Sequence, residues 1–265
     1  MSATVGALWR RWRRGAFDAV FPPRCLMCGA WDCDGEPTLC PACTTSIDAE
    51  RAASACPVCA ADLAPYSLRD GRCPECHDRP RHVLGVVRVG RWRPIGEDLS
   101  PVGQLLRDYK FRGQQVLGPA LSGWLADAVR QADWCKQVEV IVPVPTHWAR
   151  RLRRPFYAAD ELAELLGARL DLPVIPVLRR VRGGKRQIGL SFSERQVNIR
   201  RAFAVRRGFA LQGTRVLLVD DVRTTGATLD ECARVLHKAG AGEIHAAIVA
   251  RAGWRHLVGQ RIAGV

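Results

Sequence analysis

The stretch Arg215-Val-Leu-Leu-Val-Asp-Asp-Val-Arg-Thr-Thr-Gly-Ala-Thr-Leu229 decides the fold. Val216 to Val219 is an unbroken apolar run, the pattern of a strand covered on both faces in a parallel sheet. Two carboxylates, Asp220 and Asp221, follow at its carboxyl end, where open α/β sheets place their ligands. Thr224, Thr225, Gly226, Ala227 and Thr228 then form a small-residue turn around a glycine free to take positive φ. From Leu229 the apolar spacing becomes helical, with Leu229, Cys232, Ala233, Leu236 and Ala239 on one face, and Gly240 and Gly242 as stop signals. The unit reads strand, acidic pair, loop, helix.

That order constrains the ligand. Backbone N–H groups of the loop and the positive end of the following helix make an anion site, to which threonine hydroxyls add donors. Two carboxylates beside it would repel a bare phosphate, so they must face hydroxyl groups or a hard cation. A phosphate, a diol and a metal-bound diphosphate in one molecule satisfy all three, as in phosphoribosyl diphosphate. Residues Val216 to Thr228 closely resemble the phosphoribosyl diphosphate motif of type I phosphoribosyltransferases, apolar residues followed by Asp-Asp-x-x-Thr-Thr-Gly-x-Thr. The chain has no G-x-x-x-x-G-K-[ST] loop of the nucleotide-binding kind.

With 265 residues and 48% hydrophobic content, the chain has material for one α/β core plus a small appendage, a composition that argues against wholesale disorder. The formal net charge of +14 rests on arginine, the only lysines being Lys110, Lys136, Lys185 and Lys238. Such a balance suits a polyanion, single-stranded DNA among them, and equally the arginine- and alanine-rich usage of a GC-rich genome. Residues 1–24 read as a basic amphipathic helix: Val5, Leu8, Trp9, Trp12, Ala16 and Val20 lie on one side and Arg10, Arg13 and Arg14 largely opposite. Membrane, duplex DNA and the chain's own body are all candidate surfaces for it, the last preferred. Its arginines interrupt any signal-peptide core, and no run is long enough to span a bilayer. A cytoplasmic protein is expected.

Cysteine dominates the next segment. Cys25-Leu-Met-Cys28, Cys40-Pro-Ala-Cys43, Cys56-Pro-Val-Cys59 and Cys73-Pro-Glu-Cys76 are four C-x-x-C knuckles. Two such turns complete one tetrahedral four-thiolate zinc site, so these eight residues imply two structural zinc ions. Chain-order pairing gives Cys25, Cys28, Cys40 and Cys43 for one ion and Cys56, Cys59, Cys73 and Cys76 for the other, with a crossed pairing left open. Cys33 and His77 are expected bystanders, and Cys135 and Cys232 small core residues. Disulfides are disfavoured without an export signal.

Beyond a short linker at residues 78–81, strand character runs from Val83 to Trp92 and a helical stripe from Leu99 to Asp108, leading into Lys110-Phe-Arg-Gly113. A helix over Val116 to Val129, a strand over Val138 to Val142, a helix over Ala158 to Leu170 and a late strand over Ile244 to Val249 complete the alternation of a parallel sheet flanked by helices. The basic loop between, residues 143–154, contains Arg150, whose guanidinium suits diphosphate. Residues 179–207 are dense in charge with few strand-like runs, and Arg182, Lys185, Arg186 and Arg195 there are candidate closing residues.

Four knuckles ahead of a phosphoribosyltransferase motif resemble the ComF family, over essentially the whole chain. The likeness includes Phe21-Pro-Pro-Arg-Cys25, Lys110-Phe111 before a glycine, Val142-Pro-Val-Pro145, and Gln187-x-x-Leu190 with Arg195, Asn198 and Ala202-Phe203 downstream. One departure is visible: Arg154-Pro-Phe-Tyr-Ala158 stands where the family often has Arg-Gly-Phe-Asn-Gln. The resemblance implies an α/β fold of type I phosphoribosyltransferase kind behind a small double zinc ribbon, with domains at 25–80 and 81–265. It implies magnesium with phosphoribosyl diphosphate, Asp220 and Asp221 as catalytic residues, and Thr224 to Thr228 with Lys110, Arg150 and Arg195 as substrate contacts. The acceptor is left open. An alternative is a catalytically reduced module that binds single-stranded DNA alongside the DNA-uptake machinery.

Overall fold

The structure, a computed structural model, describes residues 24–31, 39–64, 68–77, 81–93, 100–145, 157–181, 199 and 201–253. The basic helix expected over residues 1–24, Cys33, and the candidates Arg150, Arg182, Lys185, Arg186 and Arg195 lie outside them, Arg24 excepted.

Helix α1 spans Pro41–Arg51, strand β1 Gly85–Trp92, α2 Pro101–Phe111, α3 Gly118–Arg130, β2 Val140–Pro143 and α4 Ala158–Leu170. Strands β3 Leu178–Arg180 and β4 Phe203–Val205 follow, then β5 Val216–Arg223, α5 Ala227–Lys238 and β6 Ile244–Ala252. The main sheet has the order β1-β6-β5-β2, and every pair in it is parallel. The apolar runs read as buried strands are buried strands.

Period-two alternation sorts each strand between two layers. Leu217 and Val219 of β5 and Ala247 and Val249 of β6 face a core built with Leu105, Leu121, Leu125, Leu162 and Leu166 from α2, α3 and α4. Val216, Leu218, Ala246 and Ile248 face the other layer, where Leu229, Cys232, Ala233 and Leu236 of α5 pack. Cys232 is fully buried as expected, and Cys135 is partly exposed.

Two segments differ from the sequence reading. β6 continues through Ala252, because its neighbours β1 and β5 carry paired backbone as far as Trp92 and Arg223. This extension brings Arg251 into the sheet. Within the charge-dense 179–207 region, β3 and β4 pair antiparallel, Leu178 opposite Val205 and Arg180 opposite Phe203. Three residues per strand are too short for hydrophobic alternation to register, and only Leu178 and Phe203 sink into the core.

The cysteine-rich segments lie against the sheet edge. Cys25, Leu39, Cys40, Cys43 and Ile47 belong to the same core as α2, α3 and α4. From the end of α1, buried Glu50 accepts from the backbone N–H of Val102 at 2.9 Å and from that of Arg91. It thereby supplies a partner for an unbonded amide at the start of α2, where Ser100 also caps Gly103. A Cβ at Gly90 would stand 2.6 Å from Glu50 Oε1 and Val102 Cβ, so a glycine is required at that crossing.

Candidate active site and metal centres

The eight knuckle cysteines gather into two groups in chain order, Cys25, Cys28, Cys40, Cys43 and Cys56, Cys59, Cys73, Cys76. The sulfurs stand 3.6 Å apart in Cys28–Cys40, 3.7 Å in Cys56–Cys76 and 3.4 Å in Cys59–Cys73. Four sulfurs around one zinc at its usual bond length stand about 3.8 Å apart, so the cavities fit that ion. Local geometry explains the knuckles. Gly29 and Ala60, each four residues after the first cysteine of its pair, take positive φ of 77° and 57°, turning the chain back. The Cys40 pair is built differently: Cys40 is the N-cap of α1, and Pro41 starts the helix that presents Cys43. His77 lies 3.7 Å from Asp70 and outside both groups.

The acidic pair sits where β5 leaves the hydrophobic layers. Its residues Asp220 and Asp221 are still paired strand, and Asp221 donates its N–H to Asp220 Oδ1 at 2.8 Å. Lys110, on the last turn of α2, places Nζ 2.7 Å from Asp221 Oδ2. Burial and then the Asp221 charge push the Asp220 carboxyl up to about 8, against the opposing pull of the Asp221 N–H, Lys110 and Arg180. Behind Lys110, Tyr109 is fully buried, and its hydroxyl is pushed well up by burial and by Glu161. The pair thus presents one carboxyl held by a cation and one that retains its proton more readily than an ordinary aspartate.

The loop turns at Gly226, with φ of 84° and ψ of −2°, as the N-cap of α5. Ala227 donates its N–H to Thr225 Oγ1 at 3.3 Å. Thr224, Thr225, Gly226, Ala227 and Thr228 are all partly exposed at the positive end of α5, so their N–H and hydroxyl groups can reach a ligand. The structure therefore brings Lys110, Asp220, Asp221 and residues 224–228 to one end of the sheet.

Sequence reasoning passed over two arginines underneath. Arg223 and Arg251 are register partners on β5 and β6, each about 3% exposed. Arg223 donates to the carbonyl of Cys59, and its guanidinium lies under Gly226, where an added Cβ would meet it at 2.5 Å. Burial, then Arg251, holds its pKa down near 10. Arg251 donates to Thr224 O at 2.5 Å and pairs with Glu75 at 2.6 Å. The available signal was Arg251 itself, a charged residue inside the otherwise apolar run Ala246 to Ala252.

A parallel sheet with an acidic pair and small-residue loop at its carboxyl end, and two four-cysteine centres against its edge, defines a phosphoribosyltransferase fold joined to a double zinc ribbon. Residues 152–258 match the phosphoribosyl transferase domain family and residues 16–78 the double zinc ribbon domain family. Competence protein F of Haemophilus influenzae is 32% identical over 236 residues, covering 86% of this chain and 97% of that protein. The DNA utilization protein YhgH of Salmonella typhimurium is 30% identical, covering 78% of this chain and 87% of its own length. Competence protein ComFC of Bacillus subtilis is 24% identical over 70% of this chain and 72% of its own. The chain belongs to the ComF family. Among the described residues, no helix is long and apolar enough to cross a membrane.

Proposed function

We propose that the chain binds phosphoribosyl diphosphate with magnesium and transfers the phosphoribosyl group to an acceptor. The observation that carries this reading is the convergence of Asp220, Asp221 and Lys110 with the Thr224–Thr228 turn at the carboxyl end of β5. In this reading the loop N–H groups and threonine hydroxyls hold the sugar phosphate, while Asp220 and Asp221 accept from the ribose hydroxyls. Carboxylate oxygens also suit magnesium, which when bound would neutralise charge on the departing diphosphate. Lys110, released from Asp221 as the ribose enters, would turn its ammonium to the diphosphate. Arg150 and Arg195 would add cations from segments outside the described residues. As the bond to diphosphate breaks, positive character grows on the ribose, which the charge of Asp221 would counteract.

In this reading the ribbons take residues 25–80 and the transferase domain residues 81–265, and the chain works in the cytoplasm. Calorimetry with phosphoribosyl diphosphate and magnesium tests the reading: wild type that binds no better than Asp221→Ala overturns it.

A second role is supported by the names of the relatives, competence and DNA utilization, and by the charge of +14. Single-stranded DNA would lie on the arginine-rich surface, in concert with the DNA-uptake machinery. Its affinity must then fall linearly on a log–log plot against salt. Affinity independent of salt rejects this role.

A further inference from the structure

We propose that Arg223 and Arg251 are positioning residues that join the second four-cysteine centre to the Thr224–Gly226 loop, so that a metal in that centre and an anion on the loop stabilise each other. The inference rests on the proposed phosphoribosyl diphosphate reading only for the identity of the anion.

Both arginines leave the carboxyl ends of β5 and β6 side by side and point toward the ribbon. Arg223 reaches the carbonyl of Cys59, in the Cys56-Pro-Val-Cys59 knuckle. Arg251 reaches Glu75, in the Cys73-Pro-Glu-Cys76 knuckle, 176 residues away in sequence. The same two guanidiniums support the loop from below. Arg251 holds the Thr224 carbonyl, and Arg223 fills the space beneath Gly226. Each side chain therefore touches one knuckle and one part of the loop.

Charge explains why two cations are buried together. A zinc ion held by four thiolates carries two net negative charges, and Arg223 and Arg251 supply two positive ones at its border. Glu75 offsets part of the remaining repulsion between the guanidiniums. Such groups behind a metal's ligands set how firmly the ligands are held. With the metal present the guanidiniums are anchored, and the Thr224 carbonyl and Gly226 turn stay where an anion would need them. Because coupling between two sites is reciprocal, an anion on the loop must also raise the affinity of the centre for metal. Among the described residues the first centre shows no such connection: its contacts run to α2, through Gln104 to Met27 O at 2.7 Å and through Glu50.

The test uses the full zinc-loaded chain and needs no ligand. Zinc transfer to a chromophoric chelator and hydrogen exchange over residues 224–228 are measured for wild type, Arg251→Met and Asp62→Asn. Asp62 is the control, because it bonds the same ribbon to β1 through Arg88 and Arg91 and does not touch the loop. Arg251→Met should release one of its two zinc ions on the order of tenfold faster and exchange faster at 224–228. Asp62→Asn should leave the exchange unchanged. If Arg251→Met does not fold, Glu75→Gln decides, with the same direction expected. Wild-type zinc release together with wild-type exchange in the deciding variant overturns the proposal. Adding phosphoribosyl diphosphate and magnesium should slow the release in wild type and leave Arg251→Met unaffected. Wild type that shows no binding heat refutes the ligand, while the chelator and exchange results still judge the tether.

Discussion

Lys110 Nζ and Asp221 Oδ2 stand 2.7 Å apart, joining the last turn of α2 to the end of β5 across the mouth of the site. The pair is mostly shielded from solvent, at 13% and 21% side-chain exposure, so it is not an ordinary surface salt bridge. It sets the first prediction. Asp221→Ala removes the proposed partner of the ribose and frees Lys110 from its carboxylate. A lost hydrogen bond to a charged group is worth roughly 1.5–3 kcal/mol, so affinity for phosphoribosyl diphosphate should fall about tenfold to a hundredfold by calorimetry.

Gly226→Val should be more damaging than Asp221→Ala. Valine resists φ of 84°, and its Cβ would press on the buried Arg223 guanidinium. The measurement is a melting curve alongside the binding isotherm. Loss of binding is expected together with a larger fall in melting temperature than Asp221→Ala gives.

Metal analysis under reducing conditions should find about two zinc ions per chain, one for each four-thiolate centre. Cys25→Ser and Cys73→Ser should each lose one ion. Protein that purifies with no zinc, or with both variants still holding two ions, would refute the assignment of these cysteines.

Asp220 predicts a pH dependence of stability. Its carboxyl is raised to about 8 in the folded chain, above the ordinary aspartate value of the unfolded one. The folded state therefore holds the proton more tightly, and stability is lost as pH rises from the ordinary carboxylate range through about 8. Asp220→Asn has no proton to lose there. Without added metal, its melting temperature should gain on wild type between pH 5 and pH 9. Parallel curves across that range would contradict the assignment.

The parts of this molecule legible in sequence are those with local periodicity. The run Val216 to Val219, the one-sided Leu162, Leu165, Leu166 and Leu170 of α4 and the C-x-x-C spacing each report on residues that act together within one element. The chain-order cysteine pairing was the simpler of two readings, and the structure adopts it. Lys110 was noticed only through its neighbours Phe111 and Gly113, and nothing in the sequence placed it against Asp221. Arg223 and Arg251 were missed because their partners, Cys59 and Glu75, lie far away along the chain. Long-range pairing of charged side chains leaves no periodic trace, and a buried arginine looks in sequence like any surface arginine.

The position of β6 has a bearing on how the chain is assembled. β6 comes last among the described strands, yet it lies between β1 and β5 in the sheet. As the chain leaves the ribosome, β1 emerges first and has no sheet neighbour until Ile244–Ala252 has been made. The ribbons, by contrast, have all their cysteines by residue 76 and can close on metal at once. During synthesis the metal centres therefore form ahead of the sheet they lean on, and the edge of β1 waits with them. A chain cut short before residue 244 would keep both cysteine centres and lose the strand that joins β1 to the rest of the sheet.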